Sequence, residues 1–329
     1  MFTRLMILTT LIVTSTAEIQ TIRLDFDPHD LVASVDPHFA SFTMDASGWR
    51  SFDLGGVDDP STGRYGATLD LLVSQFENAT LRVGGTQQDY DVYVDFGAVN
   101  QTCENLEPPM TTYRCRTMDK EQWNELLNFS HRNNLRLVFG LNDMFGRPTK
   151  TLKPENATCN ETACPDLNQT NLENLIEYTF REKPTGWDSI QGFELGNELN
   201  KVLNDAIGAS TQAQDFIQLR KLVPSSVYLY GPDTHSYTQF SQSGRDWITN
   251  FSKTAADSID AYTFHQYCMG YGPSLDPTRL NESFLNHTAL EKCLQGAQYV
   301  FSHSLRHCCI THVYTNSDTS YNRPRAKTS

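Results

Sequence analysis

The run Ile190 to Glu198, IQGFELGNE, places a carboxylic acid beside a carboxamide at the end of an apolar stretch. If that stretch is a buried strand, Asn197 and Glu198 are carried to its tip. A Glu there can protonate a leaving oxygen and later accept a proton from water. An adjacent Asn can hydrogen-bond a neighbouring hydroxyl more strongly as charge develops. Hydrolysis of a sugar linkage with retention asks for this pairing. Taken alone, the tripeptide is also a solvated Asn-Glu pair at a helix start. Further polar groups end other apolar runs: Asp45 after FASFTM, Thr86 after LRVGG, Asn142 after LRLVFGL, Asp233 after YLYGP, and His265 with Tyr267 in TFHQY.

Rival chemistries find less support. His303, His307, Cys308, Cys309 and His312 are dense, but adjacent cysteines point apart and the spacing matches no zinc pattern, so no metal is expected. Gly84-Gly85 lacks the G-x-G-x-x-G spacing, no phosphate-binding loop motif occurs, and no cofactor is expected.

The elements that must position these residues alternate. Strands are expected at 39–45, 80–84, 135–142, 190–197, 227–231, 258–267 and 310–315. Helices are expected at 65–76, 118–134, 168–182, 210–222 and 282–302. About seven β units with helices between them imply a parallel sheet of the (β/α)8 TIM-barrel type, whose active site lies where the strands end. Stretches 51–64, 97–112 and 143–167 read as loops.

In their order, LRVGGTQQDY, LVFGLN, GFELGNELN, DFIQLRKL, YLYGPD and TFHQY resemble the heparanase family, glycoside hydrolase family 79 of the barrel-based clan A. The resemblance runs from about residue 30 to about residue 300. It implies a retaining endo-β-glucuronidase acting within a glucuronic-acid glycosaminoglycan of the heparan sulfate or hyaluronan type. It also implies Glu198 as acid/base, Asn197 as its 2-hydroxyl partner, and Asp45, Thr86, His265 and Tyr267 in the substrate cleft. Asp45 and Tyr267 also read as barrel-rim hydrogen-bonding groups, and His265 as a satisfied core histidine.

The chain departs from the family pattern at several places. Aligned without gaps on Tyr321, Asn316 occupies the nucleophile position, and a neutral amide cannot form the glycosyl ester. Leu199 stands where the family usually has proline, and Thr234-His235-Ser236 follows Asp233 where other cleft residues are expected. The expected barrel is therefore incomplete, with about seven βα units, without the family's C-terminal β-sandwich, and with a divergent tail at 317–329. The alternative reading is an inactive glycan- or partner-binding relative.

Composition fits this picture. With 39 acidic against 26 basic residues in 329, the net charge is −13, which disfavours nucleic acid and acidic membrane surfaces as partners. Residues 1–17 read as a signal peptide: Arg4, an apolar run from Leu5 to Val13, then Ser15-Thr16-Ala17. Residues 18–316 form the expected barrel, and no later run reaches transmembrane length. Nine N-x-S/T sequons, at Asn78, Asn100, Asn128, Asn156, Asn160, Asn168, Asn250, Asn281 and Asn286, favour a secreted or lysosomal-lumen glycoprotein. Association with membrane or matrix through glycans is expected on the same ground. Among eight cysteines, Cys103 with Cys115, Cys159 with Cys164 and Cys268 with Cys293 are the pairs considered.

Overall fold

The computed structural model describes residues 41–46, 48–51, 66–76, 78–97, 115–144, 170–200, 207–235 and 241–266. It also describes the strands Thr311–Thr315 and Thr319–Tyr321 and a few isolated positions. Seven strands run parallel in chain order: β1 Phe42–Asp45, β2 Thr80–Gly84, β5 Arg136–Leu141, β6 Ile190–Leu195, β7 Tyr228–Thr234, β8 Ala261–Gln266 and β9 Thr311–Thr315. Helices α1 Gly66–Val73, α2 Lys120–Arg132, α3 Thr170–Glu177, α4 Ala209–Leu222 and α5 Gln242–Ala255 connect them. The architecture is that of an incomplete (β/α) barrel, and among the described residues no ladder joins the last strand to β1.

Parallel strands covered on both faces must be apolar along their whole length. β2 and β5 are buried after their first residue, and β7 is buried from Leu229 to Thr234. The helices cover this sheet through specific seams. Asp119 caps α2 by accepting from the Gln122 amide at 2.9 Å, and the Gln122 side chain accepts from the Asp119 amide at 3.2 Å. The cap fixes the face on which Trp123, Leu126, Leu127 and Phe129 are buried. Trp123 meets the Phe139 ring edge-on at 4.9 Å and donates to Thr179 Oγ1 at 3.0 Å, which satisfies its indole N–H. Ser241 caps α5 in the same manner, and Trp247 and Phe251 of that helix stack at 5.6 Å.

Four elements were not expected from the sequence. Helix α5 fills 242–255, where Ser, Gln, Arg and Asp mask an apolar face of Trp247, Ile248 and Phe251. Two short parallel strands, β3 Asp91–Tyr93 and β4 Arg116–Met118, make a separate ladder beside the barrel, on either side of the Cys103–Cys115 disulfide. The tail, expected to carry no element, contributes β10 Thr319–Tyr321, antiparallel to β9. Of the helix expected at 282–302, only Thr288, Glu291 and Gln295 are described, and they are helical; His312 falls on β9, while the Cys159–Cys164 and Cys268–Cys293 pairs and the rest of the His303–His312 cluster lie outside the described residues. No described helix is long and apolar enough to cross a membrane.

Candidate active site

The strand ends bring a line of buried charges to one place. Arg82 of β2 points into the barrel and forks: Nε donates to Glu194 Oε2 of β6 at 2.7 Å, and Nη2 donates to Asp233 Oδ2 of β7 at 2.7 Å. Asp233 Oδ1 lies 2.8 Å from His265 Nε2 of β8, and His265 Nδ1 lies 2.6 Å from Glu198 Oε1. His235 Nε2 approaches the other Glu198 oxygen at 3.7 Å. Glu194 and Asp233 are fully buried, whereas the Glu198 side chain keeps 16 % of its surface, so it is the carboxylate of the line that opens toward the cleft.

The chain after β6 is held by main-chain contacts that owe nothing to the glutamate side chain. Buried Asp89 accepts from the Asn197 amide at 2.8 Å and from the Asp143 amide at 3.0 Å, tying the ends of β5 and β6 together. The Glu198 amide donates to the Asp233 carbonyl at 2.9 Å. Glu198 has φ 54, a left-handed conformation costing roughly 1–2 kcal/mol, which this bond and the Asp89 clamp offset. The side chain of Asn197 is also seated: with its carboxamide oriented so that both ends are satisfied, Nδ2 donates to Asp233 Oδ2 at 3.2 Å and Oδ1 accepts from the Thr86 amide at 3.3 Å. Gln88 fills the layer beneath, donating to the Leu141 carbonyl, and sits where a side chain at Gly140 would go.

The electrostatics follow from burial against a short supply of cations. Burial pushes Glu194 up to about 7, with one Arg82 contact holding it back. Burial also opposes ionisation of Asp233, but Arg82 and His265 together override it, so this carboxyl sits below the usual range. For His265 burial disfavours the imidazolium, yet Asp233 and Glu198 outweigh burial and raise it to about 9. The 2.6 Å contact of His265 Nδ1 with Glu198 Oε1 thus sets a proton donor or acceptor directly beside this carboxylate, while Nε2 faces Asp233 at 2.8 Å.

Residues 63–316 match the family described as glycosyl hydrolase family 79, N-terminal domain. The chain belongs to that family. Heparanase-like protein 3 of Arabidopsis thaliana is 28% identical over 284 residues, covering 79% of this chain and 47% of the relative. The heparanase of Rattus norvegicus is 24% identical over 324 residues, covering 84% and 53%. The family 79 chain thus spans about half the length of the curated relatives it matches. Among solved structures, a family 51 α-L-arabinofuranosidase from Bifidobacterium longum aligns with a TM-score of 0.52 at 12% identity, over 86% of this chain and 57% of its own, a likeness of fold.

Of the residues singled out in the sequence, the family 79 fold assembles Thr86, Asn197, Glu198 and His265 in one hydrogen-bonded group. His265 contacts the proposed acid/base directly instead of only filling the core. Asp45 ends β1 and reaches toward Gly85, where a Cβ would lie 2.9 Å from its Oδ2. Tyr267 and Asn316 lie outside the described residues. Sequence reasoning gave no role to Arg82, Asp89, Glu194 or His235. For Arg82 and Glu194 the signal was a charge inside an apolar strand, since such a charge must find a buried partner.

Proposed function

We propose that this family 79 chain is a heparanase-like retaining endo-β-glucuronidase. Its substrate would be a glucuronic-acid-containing glycosaminoglycan of the heparan sulfate or hyaluronan type. The observation that carries the reading is the seating of Glu198: one oxygen on His265 at 2.6 Å, with Asn197 beside it fixed by Asp233 and Thr86. In this role Glu198 gives its proton to the leaving sugar oxygen and, returned to the carboxylate by that step, deprotonates the attacking water. Asn197 binds the 2-hydroxyl, and Asp45 and Tyr267 line the cleft. The net charge of −13 supports hyaluronan or a lightly sulfated chain as readily as heparan sulfate.

Retention also requires a carboxylate nucleophile about 5 Å from the acid. The amide of Asn316 at the aligned position favours a second reading, a chain that holds glycan without cleaving it. One experiment separates the two. The secreted chain, its Glu198→Gln variant and its Asn316→Glu variant are incubated with heparan sulfate and with hyaluronan, and the products are sized. Shortened polymer from the native chain, lost in Glu198→Gln, supports the enzyme. Intact polymer with retained binding, and shortening only in Asn316→Glu, supports the second reading.

The same reading includes a secreted or lysosomal-lumen glycoprotein processed after residue 17. It is supported by the exposed positions of the sequon residues Asn78, Asn128 and Asn250 and by the Cys103–Cys115 disulfide. Glycosidase digestion of the secreted chain, with a fall in apparent mass, tests it.

A further inference from the structure

Glu194 is a buried ionisable group for which the acid/base chemistry above has no use. It is fully buried on β6, one of its oxygens touches Arg82, and the other, Oε1, meets no hydrogen-bond partner among the described residues. The ionisable groups around it come from three strands: Arg82 of β2, Tyr230 and Asp233 of the adjacent β7, and His265 of β8. From β5 the residue in register is Gly140, with the uncharged Gln88 packed over it, so that side supplies no charge. Glu198 follows on the same chain, linked only through His265 and Asp233.

Two cations, Arg82 and His265, thus face three carboxylates, Glu194, Asp233 and Glu198, in a line of contacts at 2.6–2.8 Å. Fully ionised, the line carries one uncompensated negative charge in a dry interior, which is costly. One proton restores balance. Asp233 holds both cations and is the poorest place for it, whereas Glu194, which meets Arg82 at one oxygen, is the place these contacts favour.

We propose that Glu194 is a positioning residue for the acid/base: its ionisation decides how Arg82 is divided between Glu194 and Asp233, and through Asp233 and His265 whether Glu198 stands as acid or base. With Glu194 ionised, Arg82 is shared, Asp233 leans on the His265 cation, and Nδ1 keeps its proton toward an ionised Glu198. With Glu194 neutral, Arg82 serves Asp233 alone. The imidazolium is then less favoured, and the proton moves from Nδ1 to Oε1 with no net change in the pair. The inference rests on the acid/base role proposed for Glu198, but its physical core is a coupling between two titrating sites.

The test is made on the full secreted chain without substrate. The ring nitrogens of His265, assigned by their loss in His265→Gln, are followed by long-range proton–nitrogen NMR against pH. The expected curve has two steps, a minor one near neutrality from Glu194 and a major alkaline one from the ring. In Glu194→Gln the minor step vanishes and the proton affinity of the ring falls about tenfold, the size of interaction at which sites titrate as a pair. Glu194→Asp brings the neutral step back. A single step in the native chain, or an unchanged curve in Glu194→Gln, overturns the proposal. The native curve alone is decisive if the variant does not fold. A lack of hydrolysis would count against the proposed function without touching this result.

Discussion

Replacing Glu194 by Gln should make the protein more tolerant of neutral pH, by an amount the burial of this residue sets. Gln keeps an oxygen for Arg82 Nε and nearly the same volume, so the contact at 2.7 Å survives while the ionisable proton is lost. In the native fold Glu194 is raised from 4.5 to about 7, because burial outweighs the attraction of Arg82. Between those values the folded chain holds a proton that the unfolded chain has released, so stability falls as pH rises through this window. At about 1.4 kcal/mol per pKa unit, the whole window costs the native chain about 3 kcal/mol, and Gln avoids it. The stability of Glu194→Gln relative to the native chain should therefore climb by about 3 kcal/mol from pH 4.5 to pH 7 and be flat below that window. His265 and Asp233 titrate in both proteins, so their contributions largely cancel in the difference. Urea unfolding of both chains at four pH values across the window measures it. Parallel curves would refute the reasoning. A difference that shrinks as pH rises would mean that Glu194 is an ordinary salt-bridged carboxylate with a lowered pKa.

Asp233→Asn removes the group that takes both Arg82 and His265, so the imidazole should fall toward its ordinary range and the chain should lose about 3–5 kcal/mol in urea unfolding. Gly231→Ala drives a Cβ to 2.3 Å from the Phe216 ring, which bears against the strand end carrying Asp233, and should cost about 1–3 kcal/mol in thermal melts. Trp123→Ala deletes a fully buried ring packed on Phe139 and should cost about 3–5 kcal/mol, with no shift in the His265 titration because the two sites share no partner. Asp89→Asn weakens the clamp on the Asn197 and Asp143 amides, and glycan binding measured by calorimetry should weaken with it while the fold persists.

The barrel strands were legible because most of them are apolar along much of their length, and the acid with its amide because they end one such run. Helix α2 was legible because Trp123, Leu126, Leu127 and His131 fall on related helical turns, although His131 turns out to be exposed while Phe129 joins the buried face. The charge line was not. Arg82 meets Glu194 across 112 residues and Asp233 across 151, and nothing in TLRVG tells which distant strand supplies the partners. Sequence shows that a buried charge needs a counterion; the order of strands in the sheet decides which one it meets. His235 was passed over because it departs from the family pattern, yet the turn after Asp233 places it 3.7 Å from Glu198.

Leu199 shows that a departure from the family pattern can leave the acid untouched. It is buried with Met144 and Ile207, and its side chain fills the space over Gly196, whose φ of 70 already requires glycine. The two residues that matter sit between them, and their main-chain amides are held by the Asp89 carboxylate and the Asp233 carbonyl. The acid half of the site thus keeps these anchors with leucine at 199. Asn316 differs in kind, because the missing function there is nucleophilic and no contact made by Glu198 can supply it. A buried line of five charged groups is a poor way to add stability, since well-packed apolar side chains of the same volume do as well or better. Ending as it does on its one partly exposed carboxylate, the line is suited to proton chemistry at Glu198, which supports the proposed enzyme over simple glycan binding.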